Sequence, residues 1–153
     1  MDTKIKLRPG PTLLAVLGYA IATPLLADTP GLAILMERMQ TYTHKLQLSI
    51  EARNEPLVHF YLHELEETSE FVADNIEHYH EYPVGDLVRE MLLPSIERLE
   101  ESVESGEWQA GDARFTALIE TCNTCHLATG HGAIRIAPAT GNPFAQEFGV
   151  GAD

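Results

Sequence analysis

The sequence predicts an all-α fold, an antiparallel four-helix bundle followed by an irregular C-terminal tail. Apolar residues recur at helical spacing through four stretches, and short polar or Gly- and Pro-containing breaks separate these stretches. No stretch shows the period-two alternation of a half-buried strand. A length of 153 residues fits a single domain with one core.

The first two predicted helices span residues 32–53 and 55–79. The break between them carries Asn54, a preferred N-cap residue, and Pro56, which is favoured in a first helical turn. The apolar stripes of these helices are Leu32, Leu35, Met36, Met39, Leu46 and Ile50 in the first, and Val58, Tyr61, Leu62, Leu65, Val72, Ile76 and Tyr79 in the second.

The last two predicted helices span residues 86–105 and 108–128. Pro94 lies inside the third helix and is expected to bend or divide it, because proline has no N–H and its ring clashes with the preceding turn. Gly130 is the expected C-cap of the fourth helix. The Gly- and Pro-rich residues 131–153 form the predicted tail.

The N-terminal residues 1–27 have the pattern of a signal peptide. Lys4, Lys6 and Arg8 precede an uncharged, mostly apolar stretch, and Ala27 ends a plausible cleavage site. An uncleaved membrane anchor is the alternative. The predicted organisation is therefore a signal peptide at 1–27, a helical domain at 28–130 and a tail at 131–153, in a periplasmic protein with no membrane contact once matured.

The charge balance restricts the classes of partner. The chain has 23 acidic and 10 basic residues, a formal net charge of −13. This charge argues against nucleic acid and against an anionic membrane surface, both of which attract basic proteins. It favours a partner protein with a basic docking surface.

The most specific motif is Cys122-Asn-Thr-Cys125-His126, a C-x-x-C-H sequence near the end of the last predicted helix. Two thiols three residues apart on a helix share a face, where they can add to the two vinyl groups of a haem, and the adjacent imidazole can bind the iron. The motif predicts one covalently attached haem c, held through Cys122 and Cys125, with His126 as the proximal iron ligand. A redox dithiol, a structural disulfide and a zinc half-site are the alternatives.

The motif continues the apolar stripe of its helix. The predicted haem therefore attaches to the core side of the last helix, inside the bundle. The stripe consists of Phe115, Leu118, Ile119, Cys122, Cys125 and His126.

A secreted chain with four helices and C-x-x-C-H at the end of the last one resembles the cytochrome c-prime family, the class II c-type cytochromes. The resemblance covers residues 32–126. It implies thioether bonds at Cys122 and Cys125, proximal ligation by His126, and a distal face lined by the first helix. Members of the family are periplasmic, are often dimeric, and transfer electrons or bind small gases, so a homodimer is one expectation.

The sequence departs from the family pattern after the motif. The family usually has a Lys or Arg there, whereas Leu127-Ala-Thr-Gly-His131 follows here. The family chain also usually ends soon after the motif, whereas 27 of the 153 residues follow His126. The segment from Gly130 to Ile136 is expected to fold over the exposed haem edge.

The sequence alone does not identify the sixth iron ligand. No Met follows His126, so the candidates are Met39 and Met36 on the first helix, His44, which lies roughly 140° around that helix from Met39, and His131 in the tail. An iron without a sixth protein ligand is the remaining alternative, in an apolar pocket for which Leu35, Leu46 and Ile50 are the candidates.

Two functions follow from these alternatives. A filled sixth position favours electron transfer to a redox partner protein, and an open one favours binding of NO or CO. No acid, base and nucleophile come together along the haem stripe, so an enzyme is not predicted.

Overall fold

A computed structural model describes residues 30–151 of the chain, and these residues form a helical bundle. The all-α prediction is confirmed: no strand is present between residues 30 and 151, and a single isolated β-bridge joins Tyr79 and Tyr82. The predicted signal peptide, residues 1–27, lies outside the described residues. The elements are α1 (Leu32–Glu51), α2 (Glu55–Asn75), α3 (Val84–Leu87), a π-helical turn (Val88–Leu92), α4 (Leu93–Glu104) and α5 (Trp108–Ala128).

The third helix of the bundle is continuous but not regular. It consists of α3, the π-helical turn and α4, and Pro94 lies at the start of α4. Since Pro94 cannot donate a hydrogen bond to the carbonyl one turn back, the helix widens ahead of it. The N–H of Leu93 donates to the carbonyl of Val88, five residues earlier. Pro94 was predicted to bend or divide this helix, and the irregularity found beside it is the π-helical turn, whose Leu92 lines the cavity described below.

The break between α1 and α2 is as predicted. The side chain of Asn54 caps α2 by accepting a hydrogen bond from the backbone N–H of Leu57 at 3.4 Å, and Pro56 lies in the first turn.

The predicted end of the second helix, at Tyr79, is wrong, because α2 ends at Asn75. The backbone of α3 lies against this end: a Cβ at Gly85 would be 2.8 Å from the carbonyl oxygen of Ala73. Arg89 also donates to that carbonyl. A further helical turn would enter the space that α3 occupies, so the chain leaves the helix and residues 76–83 form a loop.

The helices pack unequally around the bundle. α1 packs mainly on α2, α4 packs mainly on α5, and α2 packs on α4, whereas α1 and α5 make few contacts. We call the gap between α1 and α5 the open seam. The largest fully buried apolar side chains of the core are Leu35, Leu46, Leu62, Leu65, Ile96, Leu99, Leu118, Val58 and Val72.

The tail is irregular, as predicted, and it folds back on the helices. Ile136 and Phe148 are buried in the core. Gln47 of α1 and Asn123 of α5 hold its backbone through their side-chain amides. The tail thus covers the open seam from both of its edges.

No helix between residues 30 and 151 is long and apolar enough to cross a membrane.

Candidate functional site

The open seam contains a cavity of about 310 Å³, which is within the size range of small-molecule sites. Cys122, Cys125 and His126 all line it, so the structure brings the three motif residues to one site. The other lining residues are Leu32, Ala33, Met36, Glu37, Met39, Gln40, Thr43, Leu65, Tyr79, Val84, Leu92, Thr129, His131, Ile134 and Ile136.

The two cysteines are free thiols on one face of α5. Burial, together with the nearby Cys125, raises the pKa of the Cys122 thiol to about 11, and burial also raises the pKa of Cys125. Redox dithiols depend on a lowered thiol pKa, because the thiolate is the reactive species. The environment of Cys122 therefore disfavours the dithiol alternative.

A sharp backbone turn follows His126. The N–H of His131 donates to the carbonyl of His126 at 2.7 Å, and the N–H of Gly130 donates to the carbonyl of Leu127 at 3.2 Å. This is a Schellman motif, and Gly130 has the positive φ of 75° that the motif requires. Gly130 therefore ends the helix as predicted, although the C-cap residue itself is Thr129, directly before it, and the turn sends the tail back along α5.

The returning tail contacts the imidazole of His126. The ring atom Nδ1 lies 2.8 Å from the carbonyl oxygen of Ile134. A carbonyl oxygen can only accept, so Nδ1 carries the proton and the neutral ring keeps its lone pair on Nε2. This is the tautomer that binds a metal through Nε2.

The candidates for the sixth ligand differ in whether they line the cavity. Met36 and Met39 both line the cavity from α1, and Met39 is 6% exposed. His44 does not line the cavity, and its Nε2 lies 3.3 Å from the carbonyl oxygen of Ala137, to which it donates. His131 lies at the cavity, with its ring centroid 5.7 Å from that of Tyr79.

The residues predicted to line the apolar pocket are wrong. Leu35, Leu46 and Ile50 are buried in the helical core and do not line the cavity. The apolar wall from α1 is formed by other members of the same predicted stripe, Leu32, Met36 and Met39. Helical periodicity shows that α1 has an apolar side, but not which part of that side meets a neighbouring helix and which part meets the seam.

Several lining residues were not found from the sequence. Tyr79 was assigned to the stripe of the second helix, but it lies in the loop at 76–83 and reaches the cavity from there. Leu65 and Leu92 belong to the predicted apolar stripes of the second and third helices, and Val84 to the predicted turn between those helices. Ile134 and Ile136 of the returning tail also line the cavity, and the coverage of a haem edge by the segment from Gly130 to Ile136 stays a prediction.

The residue types at the cavity fit a covalent haem. Two thiols on one helical face stand beside an imidazole whose Nε2 lone pair is available, and most of the other lining side chains are apolar. Across residues 30–151, no three His, Cys, Asp or Glu side chains form a group suited to a bare metal ion.

Comparison with known proteins gives no relative: no protein-family model, curated protein or solved structure matches the chain. The resemblance to the cytochrome c-prime family therefore stays a prediction.

Proposed function

We propose that this protein is a c-type cytochrome that carries one covalent haem on α5 and transfers electrons. The observation that supports this most strongly is the common cavity of Cys122, Cys125 and His126, with Nδ1 of His126 bound to the Ile134 carbonyl. When bound, the haem supplies an iron that cycles between the ferric and ferrous states. The protein supplies the attachment, the axial ligands and an apolar surrounding.

Each motif residue has a separate role in this proposal. Cys122 and Cys125 hold the haem through thioether bonds, which fixes it to the core side of α5. His126 is the proximal ligand through Nε2, and Ile134 keeps the ring in the required tautomer. Ile134 and Ile136 of the tail line the cavity, and Ile136 is almost fully buried there.

Met39 is the proposed sixth ligand. It lies on α1, the cavity wall that comes from the first helix of the bundle, and its backbone carbonyl accepts a hydrogen bond from Thr43 Oγ1 at 2.8 Å. A buried thioether is a suitable axial ligand for haem iron. Met36 is the second choice. His44 is disfavoured because its Nε2 contacts the tail and it does not line the cavity.

The remaining parts of the proposal rest on the sequence. The short connections at 52–54 and 105–107 support an antiparallel arrangement of the helices they join. Residues 1–27 are proposed to direct export to the periplasm. The net charge of −13 supports a redox partner with a basic docking surface.

Binding of NO or CO is the second candidate function. The observation that favours it is the apolar wall formed by Leu32, Leu65, Val84 and Leu92, which would surround an open sixth position. The two functions differ in whether a protein side chain, Met39 in this proposal and Met36 as the second choice, binds the iron at the sixth position.

The test is expression of the full chain in a host that matures c-type cytochromes. Haem staining after a denaturing gel shows whether the haem is covalent, and absorption spectra of both oxidation states, with and without CO, report the sixth ligand. We expect stain in the wild type, no stain after joint C122S and C125S substitution, and a low-spin spectrum that CO barely changes. A wild-type chain without covalent haem overturns the proposal.

A methionine pair then identifies the axial ligand. M39L is expected to convert a low-spin iron to a high-spin, CO-binding one. M91L is the control, because Met91 does not line the cavity, and it should leave the spectrum unchanged. A wild-type iron that is already high-spin and binds CO favours the gas-binding function instead.

A further inference from the structure

Asn123, the first variable position of the motif, holds one residue of the tail by two hydrogen bonds. Its Nδ2 donates to the carbonyl of Ile136 at 2.9 Å, and its Oδ1 accepts from the N–H of Ile136 at 2.8 Å. The backbone groups fix which side-chain atom is nitrogen and which is oxygen, because an N–H only donates and a carbonyl only accepts. The pair holds the position and the orientation of the backbone at Ile136.

Ile134 lies two residues before this clamp, and its carbonyl is the partner of His126 Nδ1. The side chain of Ile134 is 55% exposed, so burial holds it only weakly. Its backbone is held instead from both sides, since its own N–H donates to the His131 carbonyl at 2.8 Å and Ile136 is clamped by Asn123. Without the clamp, water at this exposed position can replace the carbonyl as the partner of Nδ1.

We infer that Asn123 is a positioning residue for the proximal imidazole: by clamping Ile136 it keeps the Ile134 carbonyl on His126 Nδ1. The inference rests on the proposed function for its effect on the iron. A hydrogen bond from Nδ1–H to a carbonyl makes the imidazole a stronger donor to iron, which stabilises the ferric state. The clamp should therefore lower the reduction potential of the haem.

A second amide provides the matched comparison. Gln47 of α1 pairs with Ala139 in the same way: its Oε1 accepts from the Ala139 N–H at 2.7 Å and its Nε2 donates to the Ala139 carbonyl at 3.2 Å. Ala139 is five residues from Ile134, whereas Ile136 is two residues away. Loss of the Gln47 pair should loosen the tail without directly freeing the Ile134 carbonyl.

The experiment compares N123L and Q47L with the wild-type holoprotein by spectroelectrochemistry and by hydrogen exchange. Both variants should speed amide exchange in the tail, and N123L should raise the reduction potential clearly more than Q47L does. N123Q, which keeps an amide, should recover part of the wild-type potential. If N123L leaves the potential unchanged, or shifts it no more than Q47L, Asn123 only anchors the tail and the inference is overturned.

A haem-free readout separates this inference from the proposed function. In the wild-type apoprotein, at a pH where the imidazole is neutral, ¹⁵N chemical shifts should show the proton of His126 on Nδ1, and N123L should move population toward the Nε2–H tautomer. A chain that never binds haem but shows this shift overturns the proposed function and retains the positioning role. An N123L apoprotein with the wild-type tautomer overturns the positioning role.

Discussion

The two sides of the bundle are closed by different means. α2 and α4 pack on each other, and each carries almost fully buried apolar side chains, such as Leu62 on α2 and Leu99 on α4. Between α1 and α5 the helices stand apart, and an irregular segment covers a cavity. A helix satisfies its own backbone groups and needs only an apolar face, whereas an irregular segment needs an external partner for each buried N–H and carbonyl. Gln47 and Asn123 supply such partners on the open seam.

The difference has consequences for stability. Removal of a fully buried aliphatic side chain costs about 2–5 kcal/mol, whereas a typical intramolecular hydrogen bond contributes about 0.5–1.5 kcal/mol. The packed side of the bundle should therefore determine whether the domain folds. The side between α1 and α5, which the tail covers, should determine whether the cavity is closed.

The largest effect is expected on the packed side. Leu99 is fully buried, so L99A should lower the free energy of unfolding by about 2–5 kcal/mol, measured by urea denaturation followed by circular dichroism. L127A is the control, because Leu127 is 72% exposed, and it should change that free energy by less than about 0.5 kcal/mol. Equal losses in the two variants would contradict the assignment of the core.

An intermediate effect is expected at the turn that starts the tail. Gly130 and Gly106 both have positive φ, 75° and 72°, so alanine at either position should cost about 1–2 kcal/mol in backbone strain. A Cβ at Gly130 would also lie 3.1 Å from the hydroxyl of Tyr82, whereas a Cβ at Gly106 meets nothing within 4 Å.

G130A should therefore lose more stability than G106A, and only G130A should speed amide exchange in residues 134–139. Stability is measured by urea denaturation and local opening by hydrogen exchange. If the two variants lose the same stability and G130A leaves amide exchange in residues 134–139 unchanged, the turn does not control the position of the tail.

The smallest effect is expected at Glu66, a half-buried residue of α2. Burial, and then the charge of Glu100 and Glu70, raise the pKa of Glu66. Because this pKa is higher in the folded than in the unfolded chain, the folded state binds the proton more tightly. The contribution of Glu66 to the free energy of unfolding therefore rises as the pH falls.

E66Q removes the charge that burial, Glu100 and Glu70 disfavour, and it should stabilise the protein slightly at pH 7; relief of the like-charge pair with Glu70, one helical turn away, is alone worth about 0.2–0.5 kcal/mol. The gain should vanish at a pH low enough to protonate Glu66 in both states. Paired urea titrations of the wild type and E66Q at the two pH values provide the measurement. A gain that persists at low pH would show that the charge is not its cause.

The parts of the fold that could be predicted from the sequence are those with local causes. The cap of Asn54, the turn at Gly130 and the disturbance at Pro94 each follow from the chemistry of one residue and its neighbours in the chain. The end of α2 has a non-local cause, since it depends on Gly85 and Arg89 from the next helix. The apolar residues continue at helical spacing past Asn75, so the predicted helix was too long.

The candidate site divides in the same way. The motif Cys122 to His126 is local and was found by its spacing. The hydrogen-bond partner of His126 could not be predicted, because the backbone carbonyl of Ile134 has no signature in the sequence. Asn123 could not be singled out either, because it occupies a variable position of the motif. Leu35, Leu46 and Ile50 were assigned to the cavity because periodicity alone does not fix how α1 is rotated toward its neighbours.

The attachment of the tail also imposes an order in time. Its hydrogen bonds to α1 join residues that are 92 to 101 positions apart, such as Gln47 with Ala139 and Lys45 with Gln146. A chain that leaves the ribosome or crosses a membrane N-terminus first presents Cys122 and Cys125 before residues 136–148 are available to close the seam. Under the proposed function, the maturation machinery would reach both thiols during that interval, and closure of the tail would then retain the attached group.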